Sequence, residues 1–288
     1  MFRTMSDYRQ IELSEWSLVG GGYNGQAYVS DAHPDKMLKL VTSDLGSVQN
    51  VEHEFYASRT AFKIGLSTPQ VFEIVRNGKD HGYLCQRIEG KKSFARLCAD
   101  APDRIPEYAA MMADYGKMLH NTPIVPNKYV VPMKTLLRDA IKASTILTDE
   151  QRERSRALVD AMPETDKCLH GDFQPGNIIL AGGQHYWIDL GWLSQGNYMM
   201  DLAHLYKMMV DDSMIPQVQD LTHMTRQQMI DFWNAFAKAY TGATDIEALN
   251  RELRSYAALD IIRTSYLHPT NNPELIEYIK NCIAHNLS

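Results

Sequence analysis

The segment His170-Gly171-Asp172-Phe173-Gln174-Pro175-Gly176-Asn177 concentrates the chemistry of the chain in an H-x-D-x-x-x-x-N arrangement. Its proline and glycine favour a loop that carries a carboxylate, Asp172, and an amide, Asn177. Ile178-Ile179-Leu180 and His185-Tyr186-Trp187-Ile188 then flank Ala181-Gly182-Gly183-Gln184 and read as a hairpin that delivers Asp189. With the turn centred near Gly183, Ile178 lies opposite Ile188 and Asn177 opposite Asp189. Cross-strand neighbours sit about 4.5–5.5 Å apart, so an amide oxygen and a carboxylate are expected to converge. Hard oxygen donors of this kind suit Mg²⁺, which keeps some waters and takes further ligands from nucleotide phosphates. Asp172 can face the same metal-phosphate site as a general base, a role that contributes about 10²–10⁴-fold in rate. The plainer alternative is a structural hairpin with polar ends. Four polar identities at compatible spacing argue against it, because a glycine loop and a strand lysine precede them.

That glycine loop is Gly20-Gly21-Gly22-Tyr23-Asn24-Gly25, a G-x-G-x-x-G match. Alone the match is weak, since a plain glycine-rich turn has the same composition. A dinucleotide-binding fold needs a helix directly after the last glycine. Here Gln26-Ala27-Tyr28-Val29 reads as extended, so the loop joins two antiparallel strands. Glycines there let backbone N–H groups approach nucleotide phosphates, and Gly20, Gly22 and Gly25 are the candidates. Lys39, within Leu38-Lys39-Leu40-Val41, is an outward residue on an edge strand or a cation for the α/β-phosphates. Its place just after the loop favours the second role, if a carboxylate on the next helix holds it. Glu52 and Glu54 are available, and Glu54 is the favoured partner.

The elements that must position these residues change in character along the chain. Strand-like runs cover Trp16–Val19, 26–29, Met37–Val41, Val71–Val75 and Tyr83–Ile88, with a turn at 31–35 and a helix over about Ser47–Ile64. After Gly90 the pattern is helical at about 105–120, 133–146, 149–161, 200–210, 226–240, 246–267 and 273–285, interrupted by the one hairpin. Ile105, Tyr108, Met112, Tyr115 and Leu119 mark a buried face. The expectation is an α+β protein with a β-rich nucleotide-binding lobe over 1–90 and a helical lobe over 91–288.

The 288-residue chain is 44% hydrophobic with a formal net charge of −6, which is a poor match to nucleic acid, whose phosphates demand clustered cations. Cys85, Cys98, Cys168 and Cys282 form no CxxC pair, against a zinc ribbon or disulfide framework. No apolar run approaches the roughly 20 residues that span a bilayer, and Met1–Trp16 lacks a signal-peptide core. A cytoplasmic protein without membrane or nucleic-acid partners is expected.

Together these motifs closely resemble the aminoglycoside phosphotransferase and choline kinase-like family of small-molecule kinases, from about Gly20 to Leu205. The resemblance implies a protein-kinase-like two-lobed fold, ATP or GTP with Mg²⁺ as cofactors, and transfer of a γ-phosphoryl group to a hydroxyl of a small molecule. It further implies Asp172 as catalytic base, Asn177 and Asp189 as magnesium ligands, and Lys39 with Glu54 as the phosphate-positioning ion pair. By the same resemblance Cys85-Gln86-Arg87-Ile88-Glu89-Gly90 is the hinge, where Gln86 and Ile88 would hold the base, and Asp201 braces the catalytic loop. His120 is structural. Gly171 stands where a protein kinase has an Arg, Asp189-Leu190-Gly191 replaces Asp-Phe-Gly, and only nine residues separate Gly191 from Asp201. A phosphorylation switch then lacks its cation and its loop, which counts against the alternative of an atypical protein kinase. A silent nucleotide-binding scaffold, the other alternative, would be expected to have lost the base, a metal ligand or the lysine. Trp192, Gln195, Tyr198, Arg263 and Tyr266 are possible acceptor-lining residues to which the sequence does not commit.

Overall fold

The computed structural model describes residues 8–22, 25–42 and 48–288. Tyr23 and Asn24 of the glycine loop and Ser47 at the expected helix start lie outside the described residues. Two compact units emerge, one of residues 1–92 with 179–193, the other of 93–178 with 194–288.

The first unit is built on a six-stranded sheet, β1 (Arg9–Gln10), β2 (Ser17–Gly22), β3 (Gly25–Ser30), β4 (His33–Val41), β5 (Val71–Asn77) and β6 (Asp80–Gln86). Its spatial order is β1-β5-β6-β4-β3-β2, antiparallel throughout except for the parallel pair β1 and β5. The turn expected over 31–35 is shorter, because His33, Pro34 and Asp35 already belong to β4. Side chains alternate across a strand. Leu38 and Leu40 therefore enter one core layer with Trp16, Val75 and Leu84. Met37 and Val41, with Lys39 between them, face the other side, where Val51 and Phe55 of the helix α1 (Val48–Lys63) pack on Ile74, Tyr83 and Cys85.

The hairpin β9 (Ile178–Ala181) and β10 (Gln184–Trp187) turns through Gly182 and Gly183, at φ +56° and +81°. The turn therefore falls near Gly183 as expected, and Ile188 and Asp189 lie beyond the end of β10. The sequence leaves 179–193 in the helical lobe, but packing puts it with the sheet. The Trp187 N–H donates to the Ser67 carbonyl at 2.8 Å, and the Ser67 hydroxyl donates to the His185 carbonyl.

The second unit contains the helices α2 (Phe94–Asp100), α3 (Ile105–Asn121), α4 (Met133–Ala143), α5 (Asp149–Ala161), α6 (Met199–Met209), α7 (Pro216–Thr222), α8 (Arg226–Thr241), α9 (Ile246–Leu267) and α10 (Pro273–Leu287). The sequence missed α2 and α7, which span about two turns each and are too short for a clear apolar period. Helix starts are chemically explicit: Thr148 with Gln151, and Thr225 with Gln228, form capping boxes that satisfy otherwise orphaned N–H groups. Met133, Leu137 and Ile141 of α4 pack with Leu259 and Ile262 of α9 and Ile283 of α10. A two-residue strand β7 (Lys92–Ser93) precedes α2. The short strands β8 (Cys168–Leu169) and β11 (Ser194–Gln195) pair antiparallel, with Leu169 opposite Ser194. That ladder gathers the two ends of the stretch holding the loop and hairpin, and sequence reading did not anticipate it.

Candidate active site

In the first unit the strand register decides what Lys39 can reach. Lys39 is paired with Ala27 of β3 and Tyr83 of β6, so its side chain leaves the sheet on the face covered by α1. There Nζ donates to Glu54 Oε1 at 2.6 Å and to Asp189 Oδ1. The Tyr83 hydroxyl donates to the same Glu54 oxygen at 2.8 Å. Glu52, the rejected alternative, instead accepts a hydrogen bond from Tyr8. Burial alone would lower the pKa of Lys39, but the carboxylates of Glu54 and Asp189 outweigh it and hold the ammonium well above the usual lysine range. Asp189 itself adopts the left-handed conformation, φ 56° and ψ 50°, which is uncommon for a residue with a side chain and costly enough to mark functional sites.

The glycine loop is a hairpin, as Gln26–Val29 implied. Gly22 pairs with Gly25, Gly21 with Gln26 and Gly20 with Ala27. Gly25 has φ +144°, and a Cβ there would approach the Leu40 carbonyl oxygen to 2.7 Å, so this position excludes any side chain. In the hinge segment the Gln86 N–H donates to the Gln70 carbonyl at 2.7 Å and the Arg87 N–H to the Asp35 carbonyl at 2.9 Å. Ile88 follows directly after these anchored residues.

In the second unit the loop carrying Asp172 is held from below by Asp201. One Asp201 oxygen accepts from the His170 N–H at 2.6 Å, the other from the Gly171 N–H at 2.9 Å. His120 Nε2 also donates to Asp201 at 3.0 Å, while its Nδ1 lies 2.8 Å from the Tyr240 hydroxyl. Burial would raise the pKa of Asp201, yet these donors and the nearby imidazoles lower it. Gly171 sits at φ +78°, a conformation that favours glycine over any arginine.

The Asp172 carboxylate is engaged on both oxygens. Asn177 Nδ2 donates to Oδ2 at 2.7 Å and to the Asp172 carbonyl at 2.9 Å. His204 Nε2 lies 3.0 Å from Oδ1, and Gln174 Nε2 donates to the same oxygen at 3.3 Å. Burial opposes ionisation of Asp172, but the hydrogen bond and charge of His204, with the charge of His170 and the hydrogen bond from Asn177, hold it below the usual carboxylate range. Both contacts are made by the Asn177 amide nitrogen, and neither uses its oxygen, a hard donor. Among the described residues no group of three His, Cys, Asp or Glu could hold a metal by itself.

Sequence reasoning missed His204, Asp260 and the contact made by Arg263. His204 follows Asp201 by three positions, hence on the same face of α6, a signal that was available. Asp260 and Arg263 lie on α9, distant in sequence, and nothing local ties them to the loop. Arg263 is 2% exposed, which removes it from the possible acceptor-lining residues.

Comparison with known proteins bears on the family and the fold. The model of the phosphotransferase enzyme family (APH) matches residues 15–240. No curated protein matches the chain. Among solved structures, an aminoglycoside phosphotransferase APH(4)-Ia, a thermostable mutant in ternary complex with ADP and hygromycin B, aligns with TM-score 0.63 at 14% identity, covering 95% of this chain and 93% of that one. A choline/ethanolamine kinase family protein from Mesorhizobium loti aligns with TM-score 0.58 at 15% identity, covering 94% and 86%. Aminoglycoside phosphotransferase APH(3'')-Id from Streptomyces rimosus aligns with TM-score 0.52 at 22% identity, covering 86% and 92%. At these identities the structures speak for the fold, which is protein-kinase-like, with a β-rich N-terminal part and a helical C-terminal part. The family match spans most of the chain, both motif-bearing segments included, and so the protein belongs to the phosphotransferase enzyme family as a small-molecule kinase.

Proposed function

We propose that this kinase transfers the γ-phosphoryl group of a magnesium-bound nucleotide, ATP or GTP, to a hydroxyl of a small molecule, in the cytoplasm. The observation that carries the reading is the state of Asp172: an ionised, partly exposed carboxylate pinned through both oxygens. In the likeness-based assignment Asp172 orients the acceptor hydroxyl and accepts its proton. Lys39, held by Glu54, neutralises phosphate charge, and the backbone of Gly20, Gly22 and Gly25 lies along the phosphates. Gln86 and Ile88 are assigned to the base. Asn177 and Asp189 would hold Mg²⁺, which supplies charge neutralisation on the transferring group. The low pKa of Asp172 suits orientation more than strong basicity, as expected where bond breaking to the leaving group runs ahead of proton loss. Similar structures include complexes with hygromycin B and with streptomycin, which supports a polyhydroxylated or amino-alcohol acceptor. Buried free thiols at Cys85, Cys98 and Cys168 support a reducing compartment.

Two measurements test this. Melting temperature is read with ATP and GTP, with and without Mg²⁺, on the wild type and on Asp189→Asn. A ligand that binds the native state raises it by mass action. The expected result is a Mg²⁺-dependent rise that Asp189→Asn abolishes; no rise with either nucleotide would refute the nucleotide assignment. Asp172→Ala is expected to abolish turnover while keeping the nucleotide shift, and unchanged turnover would remove Asp172 from the reaction.

A further inference from the structure

The side chains behind Asp172 form a line of alternating charge within the second unit. His204 Nε2 is 3.0 Å from Asp172 Oδ1 and His204 Nδ1 is 2.8 Å from Asp260 Oδ2. Arg263 closes the line, with Nε at 3.1 Å and Nη2 at 2.6 Å from the other Asp260 oxygen. The same Nη2 donates to the Gly171 carbonyl at 2.7 Å. Asp260 and Arg263 are almost wholly buried.

An ionised carboxylate only accepts hydrogen bonds. For both ring nitrogens of His204 to bond to carboxylates, both must carry hydrogen, which makes the ring an imidazolium. The alternative, a protonated carboxyl, is opposed by the guanidinium donors on Asp260 and by the amide donor on Asp172. Burial would lower the pKa of His204, but Asp260 and Asp172 push it up to about 10. The other charged or titratable groups nearby are Arg263 behind Asp260, and His170 and His268 near Asp172.

We propose that His204 is a positioning residue for phosphoryl transfer: an imidazolium fixed by Asp260 that holds the Asp172 carboxylate in the orientation needed to receive the acceptor hydroxyl. The inference rests on the phosphotransferase reading of Asp172. His204 and Gln174 occupy Oδ1, and Asn177 occupies one lone pair of Oδ2. Rotation of the carboxylate would break these contacts, and the remaining lone pair of Oδ2 serves the hydroxyl. The helix α9 thus clamps the loop twice, through Arg263 on the Gly171 backbone and through Asp260 and His204 on the Asp172 side chain. Misplacing a reacting group by about 1 Å costs on the order of 10²-fold in rate, which is the size of effect such a clamp protects.

The test uses the full chain, with Mg-ATP as donor and water as acceptor, read as phosphate release. His204→Asn is expected to lower kcat by about 10²-fold with KM for ATP unchanged, the mark of an interaction outside nucleotide binding. Wild-type kcat in His204→Asn would overturn the inference and leave the phosphotransferase reading standing, as would parallel loss of kcat and nucleotide binding, which marks a purely structural role. A wild type that releases no phosphate and binds no nucleotide would overturn the reading itself. Because His204→Asn can perturb folding, ¹⁵N-imidazole spectra of the wild type and Asp260→Asn provide a second arm. His204 is expected to carry two protons at pH 8 in the wild type and to lose one at lower pH in Asp260→Asn, with kcat falling alongside. A neutral His204 in the wild type at pH 8 would overturn the clamp.

Discussion

A lysine between two carboxylates and a histidine between two carboxylates are the same electrostatic device in two places. Lys39 joins Glu54 and Asp189, and His204 joins Asp172 and Asp260. In each case a single cation bridges two carboxylates, and His204 helps keep Asp172 and Asp260 ionised where burial would otherwise penalise them. Removing the cation leaves uncompensated charge. Lys39→Ala is expected to lose about 2 kcal/mol of stability, between the values for exposed and buried pairs, and to lose the nucleotide-induced rise in melting temperature. Differential scanning calorimetry with and without Mg-ATP checks both. For His204 the folded pKa lies above the unfolded value. Its contribution to stability is therefore complete below about pH 6.5 and is lost as pH rises toward about 10. Urea unfolding of the wild type and His204→Asn should show a stability difference that shrinks across that interval; a gap that widens would contradict the charge assignment.

At the scale of elements, what matters is how closely backbones approach. Gly82 of β6 pairs with Leu40 of β4, and a Cβ on Gly82 would run into the Lys39 carbonyl oxygen and lie 2.9 Å from Leu40 Cα. Neither obstacle is a flexible side-chain tip, so Gly82→Ala must push apart the two strands that carry Lys39 and Tyr83. The expected outcome is a markedly lower melting temperature, and a wild-type melting temperature would show that the strand pair can yield. Gly116 on α3 is a milder case, because its Cβ would meet the Phe173 ring at 2.9 Å. Phe173 is fully buried and adjoins Asp172, so the ring can transmit the overlap to the loop. Gly116→Ala should cost about 1–3 kcal/mol, as overpacking does, and lower kcat more than nucleotide binding; steady-state kinetics separates the two effects.

For the whole molecule, the shifted groups set limits on the pH range of the native state. Asp172, Asp201 and Asp260 have lowered pKa values, so their contributions hold above about pH 3.8 and fade as pH falls below it. His185 and His268 are kept neutral by burial, and their contributions fade as pH falls below about 6.5. On the alkaline side His204 fades first. The thiols of Cys85, Cys98 and Cys168, pushed up to about 12 by burial, follow from about pH 9 upward. Melting temperature is therefore expected to peak near neutral pH and to fall on both sides. A flat profile from pH 4 to pH 10 would show that these groups are not held as their contacts indicate. No helix among the described residues is long and apolar enough to cross a membrane.

The sequence by itself picked out the local candidates. Residue types at fixed spacing named Asp172, Asn177, Asp189 and Lys39, and apolar periodicity located the long helices, because both depend on neighbours within a few bonds or one turn. Glu54 could be favoured over Glu52 only by guessing a helix rotation, and Tyr8 taking Glu52 shows what the sheet and helix settled together. The grouping of 179–193 with the sheet, the ladder of Cys168–Leu169 with Ser194–Gln195, and the line from Arg263 through Asp260 and His204 to Asp172 were decided by tertiary structure alone. Each joins segments separated by tens of residues, and such contacts exist only after chain entropy has been spent on a specific packing that no local pattern encodes.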